Sequence, residues 1–151
     1  MVSRMFRIET EVDKQRVDLL RSLLGETNTA ESAALRALRG TDAERELPLQ
    51  AWALDQDGAL AGGCETHTWA RWLHVNLLWV DARYRDTGLG TRLLADVERR
   101  AREERDCVSA RVSTWDFQAP GFYRSLGYEA VSVIPDYPPG VTEFTLVKRL
   151  G

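Results

Sequence analysis

The segment Leu77-Leu78-Trp79-Val80-Asp81-Ala82-Arg83-Tyr84-Arg85-Asp86-Thr87-Gly88-Leu89-Gly90-Thr91-Arg92-Leu93-Leu94 decides the architecture. Leu77 to Val80 is a continuous apolar run of strand type. Asp81 to Arg85 is a short charged turn. Gly88 and Gly90 then open a long amphipathic helix that reaches Glu104. A strand that feeds a helix through a glycine-rich turn aims free backbone N–H groups at one point, where the helix dipole adds partial positive charge. Such a construction binds phosphate. A P-loop is excluded, because Thr91-Arg92 stands after Gly90 where a lysine and a hydroxyl are required. A dinucleotide fingerprint is excluded by Leu93, where a third small residue belongs.

Outward from this segment the chain alternates strand and helix signals. Phe6, Ile8 and Val12 alternate with charged residues as in a half-buried first strand, and Thr10 with Asp13 resembles a capping box. Val17, Leu20 and Leu24 recur at helical spacing. A second helix is expected from Ala30 to Arg39, capped by Thr29 and stopped by Gly40. Leu47–Leu54 and Leu60–Thr68 read as a hairpin about Asp57-Gly58, and Trp72–Val80 as the long central strand. The helix after Gly88 places Leu89, Leu93, Leu94, Val97 and Ala101 on one stripe. Its other face carries the pairs Asp96/Arg100, Glu98/Arg102 and Arg99/Glu103. Val108–Thr114 follows as a strand and Pro120 begins a short helix ending at Gly127. Tyr128–Ile134 and Thr142–Val147 close an α/β sheet of mixed direction.

A length of 151 residues suits one domain, 1–151. With 44% hydrophobic and 28% charged residues and a net charge of −3, the composition is that of a soluble globular protein. It does not indicate a nucleic-acid surface. The basic residues cluster between Arg83 and Arg105, which suits a small anionic ligand. Cys64, Cys107, His67 and His74 do not make a zinc ligand set, so no metal is expected, and the cysteines read as reduced thiols. There is no signal-peptide pattern and no apolar run of membrane-spanning length, so a cytoplasmic protein without membrane association is expected.

The segment Val80 to Leu94, with Arg85-x-x-Gly88-x-Gly90 at its centre, resembles the acetyl-CoA signature of the GNAT superfamily of N-acetyltransferases. A second segment, Ala119-Pro120-Gly121-Phe122-Tyr123-Arg124-Ser125-Leu126-Gly127-Tyr128, resembles another of that family's motifs, in the same order and at the usual separation. The resemblance implies a mixed, mostly antiparallel twisted sheet of about seven strands. Helices flank it, and it is splayed between the fourth and fifth strands. It implies acetyl-CoA as cosubstrate, its pantetheine amides on the backbone of Leu78 and Val80. The pyrophosphate would lie on the N–H groups of Asp86, Thr87, Gly88, Leu89, Gly90 and Thr91, where a Cβ at position 88 or 90 would crowd it. Arg83, Arg85 and Arg92 either add charge-assisted contacts or are solvated surface charges. Asp116 matches a position that contacts CoA in some relatives, and Gln118 beside it is the alternative.

Acetyl transfer to an amine requires a neutral amine, a stabilised oxyanion and a proton for the departing thiolate. By the resemblance, Tyr123 stands at the position of the proton donor; the alternative is a ring that packs beneath the cofactor. The N–H of Val80 or a neighbour stands at the oxyanion position. The family's usual glutamate base is missing. His74 is the candidate in its place, because alternation puts Trp72, His74, Asn76, Leu78 and Val80 on one face, unless a bulge intervenes. Glu65 and His67 compete for that role, and Arg111 on the following strand cannot be a base. The loop with Asp136 and Tyr137, and the tryptophans Trp69, Trp72 and Trp115, are candidates for the acceptor side. Core or dimer packing serves the tryptophans equally, so a homodimer is compatible with the sequence. The leading reading is transfer to a primary amine of a small molecule, a metabolite or an antibiotic. The alternatives are protein lysine or N-terminal acetylation, a non-catalytic acyl-CoA sensor, and a toxin acting on aminoacyl-tRNA. The weak negative charge disfavours the last.

Overall fold

The computed structural model describes residues 5–151, which fall into two compact units, one ending at Arg39 and the other spanning Gly40–Gly151. The first unit contains α1 (Lys14–Glu31) and α2 (Ala33–Leu38). Asp13, rather than Thr10, caps α1: its side chain accepts from the Arg16 N–H at 3.0 Å. The break between the helices falls at Ser32 rather than Thr29. Ser32 has extended backbone angles, its N–H closes α1 on the Asn28 carbonyl, and its hydroxyl caps α2 through the Leu35 N–H. Phe6, Ile8 and Val12 are exposed and lie in no strand.

The second unit is a six-stranded sheet rather than one of about seven, with β1 (Leu47–Leu54), β2 (Leu60–Trp69), β3 (Trp72–Val80), β4 (Ser109–Trp115), β5 (Glu129–Ile134) and β6 (Glu143–Arg149). Helix α3 (Leu89–Arg105) connects β3 to β4, and α4 (Pro120–Ser125) follows β4. The order across the sheet is β1-β2-β3-β4-β6-β5, parallel between β3 and β4 and antiparallel elsewhere. The expected seventh strand is the Phe6–Val12 segment. Alternation alone does not make a strand, which needs a hydrogen-bonding partner. Within the second unit, the carbonyls of Leu47, Pro48 and Gln50 of β1 accept from Arg105 and Arg100 of α3.

The core lies between the sheet and α3, with Leu94, Val97, Leu73 and Leu146 fully buried. The close approach of α3 depends on Gly62: a Cβ there would stand 3.0 Å from the Trp79 carbonyl and 3.2 Å from Leu93. The stripe read from the sequence is buried as expected, and two of the three charge pairs form, Asp96–Arg100 at 3.1 Å and Arg99–Glu103 at 2.9 Å. The third does not. Glu98 turns inward, accepting from the Tyr128 hydroxyl at 2.7 Å and the Lys148 ammonium at 3.0 Å, while Arg102 donates to the Leu150 carbonyl. A residue with two partners in the interior does not need one on its own helix.

Two irregularities shape the sheet. Glu65 pairs with Leu77 and Thr66 with Val75, so Asn76 is an extra residue and β3 is bulged there. The β3–β4 ladder runs only from Trp72/Ser109 to Val75/Val112, after which the strands part. The splay implied by the family resemblance is therefore present, and it starts where β3 bulges. Leu94→Ala should cost about 2–5 kcal/mol, because its cavity would sit under the sheet where little can collapse. Urea denaturation followed by circular dichroism measures this; a loss well under 1 kcal/mol would mean that α3 does not anchor the core.

Candidate functional site

The parting strands open a cavity of about 800 Å³, lined by Leu78, Trp79 and Val80 of β3, by the turn from Tyr84 to Thr91, and by Phe117 to Ala119 with Phe122 and Tyr123. Three pieces of chain converge because each is locally constrained. Asp81 accepts from the Arg83 N–H and, at 3.0 Å, from its guanidinium, which holds the Asp81 carboxyl below the usual carboxylate range. Asp86 and Gly88 both have positive φ, 61° and 85°, and so bend the chain back on itself before α3. Thr87 ties the turn to the Tyr84 carbonyl through its hydroxyl.

The two glycines also serve the fold itself. A Cβ at Gly88 would meet nothing within 4 Å, but the left-handed backbone disfavours one. At Gly90 a Cβ would make ordinary contacts with Phe122 and Val80 at 3.4 and 3.6 Å. Gly88 is thus set by conformation. Gly90 keeps open the space between the helix N-terminus and Phe122.

Of the residues expected at the cofactor, Leu78, Val80, Arg85, Asp86, Gly88, Leu89, Gly90 and Thr91 all line this cavity. Arg85 also donates to the Val80 carbonyl at 3.3 Å, tying the turn to the strand end. Thr87 belongs to the turn without lining the cavity. Asp116 is drawn aside: its N–H donates to the Thr142 carbonyl and its carboxylate accepts from the Thr142 N–H. Gln118 lines the cavity in its stead, with its carbonyl oxygen capping Thr114 and Trp115. Arg83 and Arg92 lie along a separate, wider groove between β1 and α3, so of the three arginines only Arg85 reaches the splay.

Tyr123 is buried at the inner wall of the cavity, in edge contact with Phe122 and with Tyr128. Burial, and secondarily Cys64, push its phenol pKa above the ordinary value, so it stays protonated. Burial pushes the neighbouring Cys64 thiol up to about 12, which leaves it without thiolate character.

His74 does not share a face with Leu78 and Val80. Leu73 and Val75 are buried in the core and Leu78 and Val80 pack against it, a step of three residues across Asn76 where a regular strand would step by two. The bulge therefore turns His74 to the opposite face. There it lines a cavity of about 370 Å³ with Trp69, Trp72 and Arg111. Its ring stacks on His67, centroids 4.5 Å apart, and its Nε2 is buried with no partner among the described residues. Burial lowers its pKa, followed by the charges of His67 and Arg111, against a smaller opposing effect of Glu46. His67 has both ring nitrogens engaged, by Glu46 at 3.1 Å and Asn76 at 2.9 Å. The bulge has no reliable sequence signal; a polar Asn76 amid apolar neighbours is the only hint.

The model of the acetyltransferase (GNAT) family matches residues 17–128. The chain belongs to the GNAT family and is an acyltransferase. This acetyltransferase is 53% identical over 126 residues to the blasticidin-S acetyltransferase of Streptomyces morookaense, covering 82% of this chain and 93% of that protein. Among solved structures it resembles an acetyltransferase from Bacillus cereus, with 26% identity and a TM-score of 0.80 over 97% of this chain and 99% of the other. An aminoglycoside 6′-N-acetyltransferase solved with coenzyme A shares the fold, at 16% identity and a TM-score of 0.61, covering 96% of this chain and 98% of that one. No helix among the described residues is long and apolar enough to cross a membrane.

Proposed function

We propose that the protein is a single acetyltransferase domain that moves the acetyl group of acetyl-CoA to a primary amine of a small-molecule antibiotic of the blasticidin S type. One observation carries this reading: the relative at 53% identity that covers 93% of its own length is a blasticidin-S acetyltransferase. The splayed strands with a glycine turn at their mouth support the cosubstrate. Leu78 and Val80 offer strand edges with no β4 partner, and Asp86, Gly88, Leu89, Gly90 and Thr91 of the turn line the same cavity. Incubation with acetyl-CoA and blasticidin S should yield free thiol and a product heavier by one acetyl group. Acetylation of a lysine peptide in preference to blasticidin S would sink this reading in favour of a protein substrate.

Acetyl-CoA supplies an acyl carbon already activated as a thioester. The acceptor nitrogen attacks that carbon directly, the C–N bond forms and the C–S bond breaks. Tyr123 gives a proton to the departing sulfur, a role its protonated state suits. The inert thiol of Cys64 favours direct transfer over an acyl-enzyme. His74 takes the amine proton from the other face of the sheet. Its lowered pKa keeps it neutral at pH 7, and its ring nitrogens are not both engaged as those of His67 are.

Gly90→Glu should abolish CoA binding in calorimetry while leaving the thermal melt near normal, because it sets bulk and negative charge beside the proposed phosphate position. Unchanged affinity in a folded variant would remove the turn from the site.

Tyr123→Phe should lower kcat on the order of 10²-fold with little change in acetyl-CoA affinity. A variant with normal kcat, where chemistry limits the rate, would reduce Tyr123 to a packing role.

If His74 is the base, kcat/KM for the free enzyme falls as pH drops through a midpoint below the ordinary histidine value of about 6.5, since the lowered pKa delays protonation. His74→Ala should remove that limb. A profile that the substitution leaves unchanged would return the role to Glu65, His67 or solvent.

A further inference from the structure

The cavity on the His74 side lies beside the last rungs of the β3–β4 ladder. His74 is the register neighbour of Arg111, and Val75/Val112 is the final pair before the strands part. Trp69 and Trp72 supply aromatic wall, Thr145 and Val147 of β6 complete it, and none of its lining residues is acidic. Arg100, Arg102 and Arg105 spend their guanidinium groups on backbone carbonyls. The Arg111 guanidinium, by contrast, makes no hydrogen bond or ion pair with a described residue, and the residue is exposed. A guanidinium without an acid, at an aromatic cavity that also holds the proposed base His74, is half of a recognition pair. Its planar donor fork matches a carboxylate, which it can hold through two parallel hydrogen bonds.

We propose that this cavity binds a carboxylate of the acceptor, with Arg111 as its charge partner and the Trp72 and His74 rings against its carbon skeleton. The acceptor class narrows to amines that also carry an acid. The word acceptor rests on the function proposed above; binding of the carboxylate does not. The charges that face His74 are His67 of β2, Arg111 of β4 and Glu46 ahead of β1. A carboxylate seated on Arg111 offsets the one fixed positive charge among them and strengthens His74 as a base when the site is filled.

The chain has two histidines, so an imidazole NMR titration of the protein without a histidine tag reads His74 directly, with His67 as internal reference. Benzoate is the probe and benzamide its uncharged counterpart. Benzoate should raise the His74 midpoint by at least about 0.5 pH unit, and benzamide should not. In Arg111→Met the midpoint should start higher, because a positive neighbour is gone, and benzoate should no longer move it. Benzoate should also inhibit transfer to blasticidin S competitively with the antibiotic, and about tenfold less well in Arg111→Met. The proposal fails if benzoate leaves His74 unmoved, acts equally on Arg111→Met, is matched by benzamide, or competes with acetyl-CoA instead. A protein that acetylates nothing would sink the proposed function, while the titration, which needs no turnover, would still decide the carboxylate site.

Discussion

The arrangement of this protein depends on one interruption of a hydrogen-bond ladder. Asn76 is an extra residue in β3, and the last β3–β4 pair, Val75 with Val112, lies immediately before it. A regular parallel ladder would have bonded Leu78 and Val80 to β4 and closed the sheet. The interruption leaves a strand edge without a partner, which is costly unless a ligand or solvent satisfies it. It also ends beside a helix N-terminus with four unbonded N–H groups. Two sets of unsatisfied donors and acceptors thus face one cavity, the one proposed above for the cosubstrate.

An opening of this kind needs rigid walls. Glu98, near the middle of α3, is largely buried and accepts from the Tyr128 hydroxyl and the Lys148 ammonium, so a helix, a strand and the residue before β5 are joined by one carboxylate. A buried charge of this kind is tolerable only because each oxygen has a donor. Burial, and after it the glutamate, discourage ionisation of Tyr128, which therefore remains a donor. Tyr128 meets Tyr123 edge to face, and the Tyr128 N–H donates to the Tyr123 carbonyl. The phenol at the wall of the cavity is held from behind by a network that reaches the far end of the sheet.

The bulge also divides the chemistry between faces. Tyr123 stands with Leu78 and Val80 on the helix side, while His74 and Arg111 stand on the other. In the proposed mechanism the acid and the base stand on opposite faces of the sheet and act on a substrate held where the strands part. The proposed proton donor and the proposed base are then kept from neutralising each other.

The sequence by itself determined the strand–turn–helix segment, because an apolar run, two glycines and a 3.6-residue stripe constrain only residues close together in the chain. It likewise determined the hairpin and the short helix begun by Pro120. What it could not determine were relations across the fold. Alternation through Phe6, Ile8 and Val12 suggested a strand, yet a strand exists only where another pairs with it, and these residues lie in none. Helical spacing paired Glu98 with Arg102, yet two donors from distant segments outbid a neighbour on the same exposed turn. Strand alternation put His74 beside Val80, yet one extra residue reverses every side chain beyond it. Local periodicity assumes an uninterrupted element, and whether an element is interrupted is decided by the strands and helices packed against it.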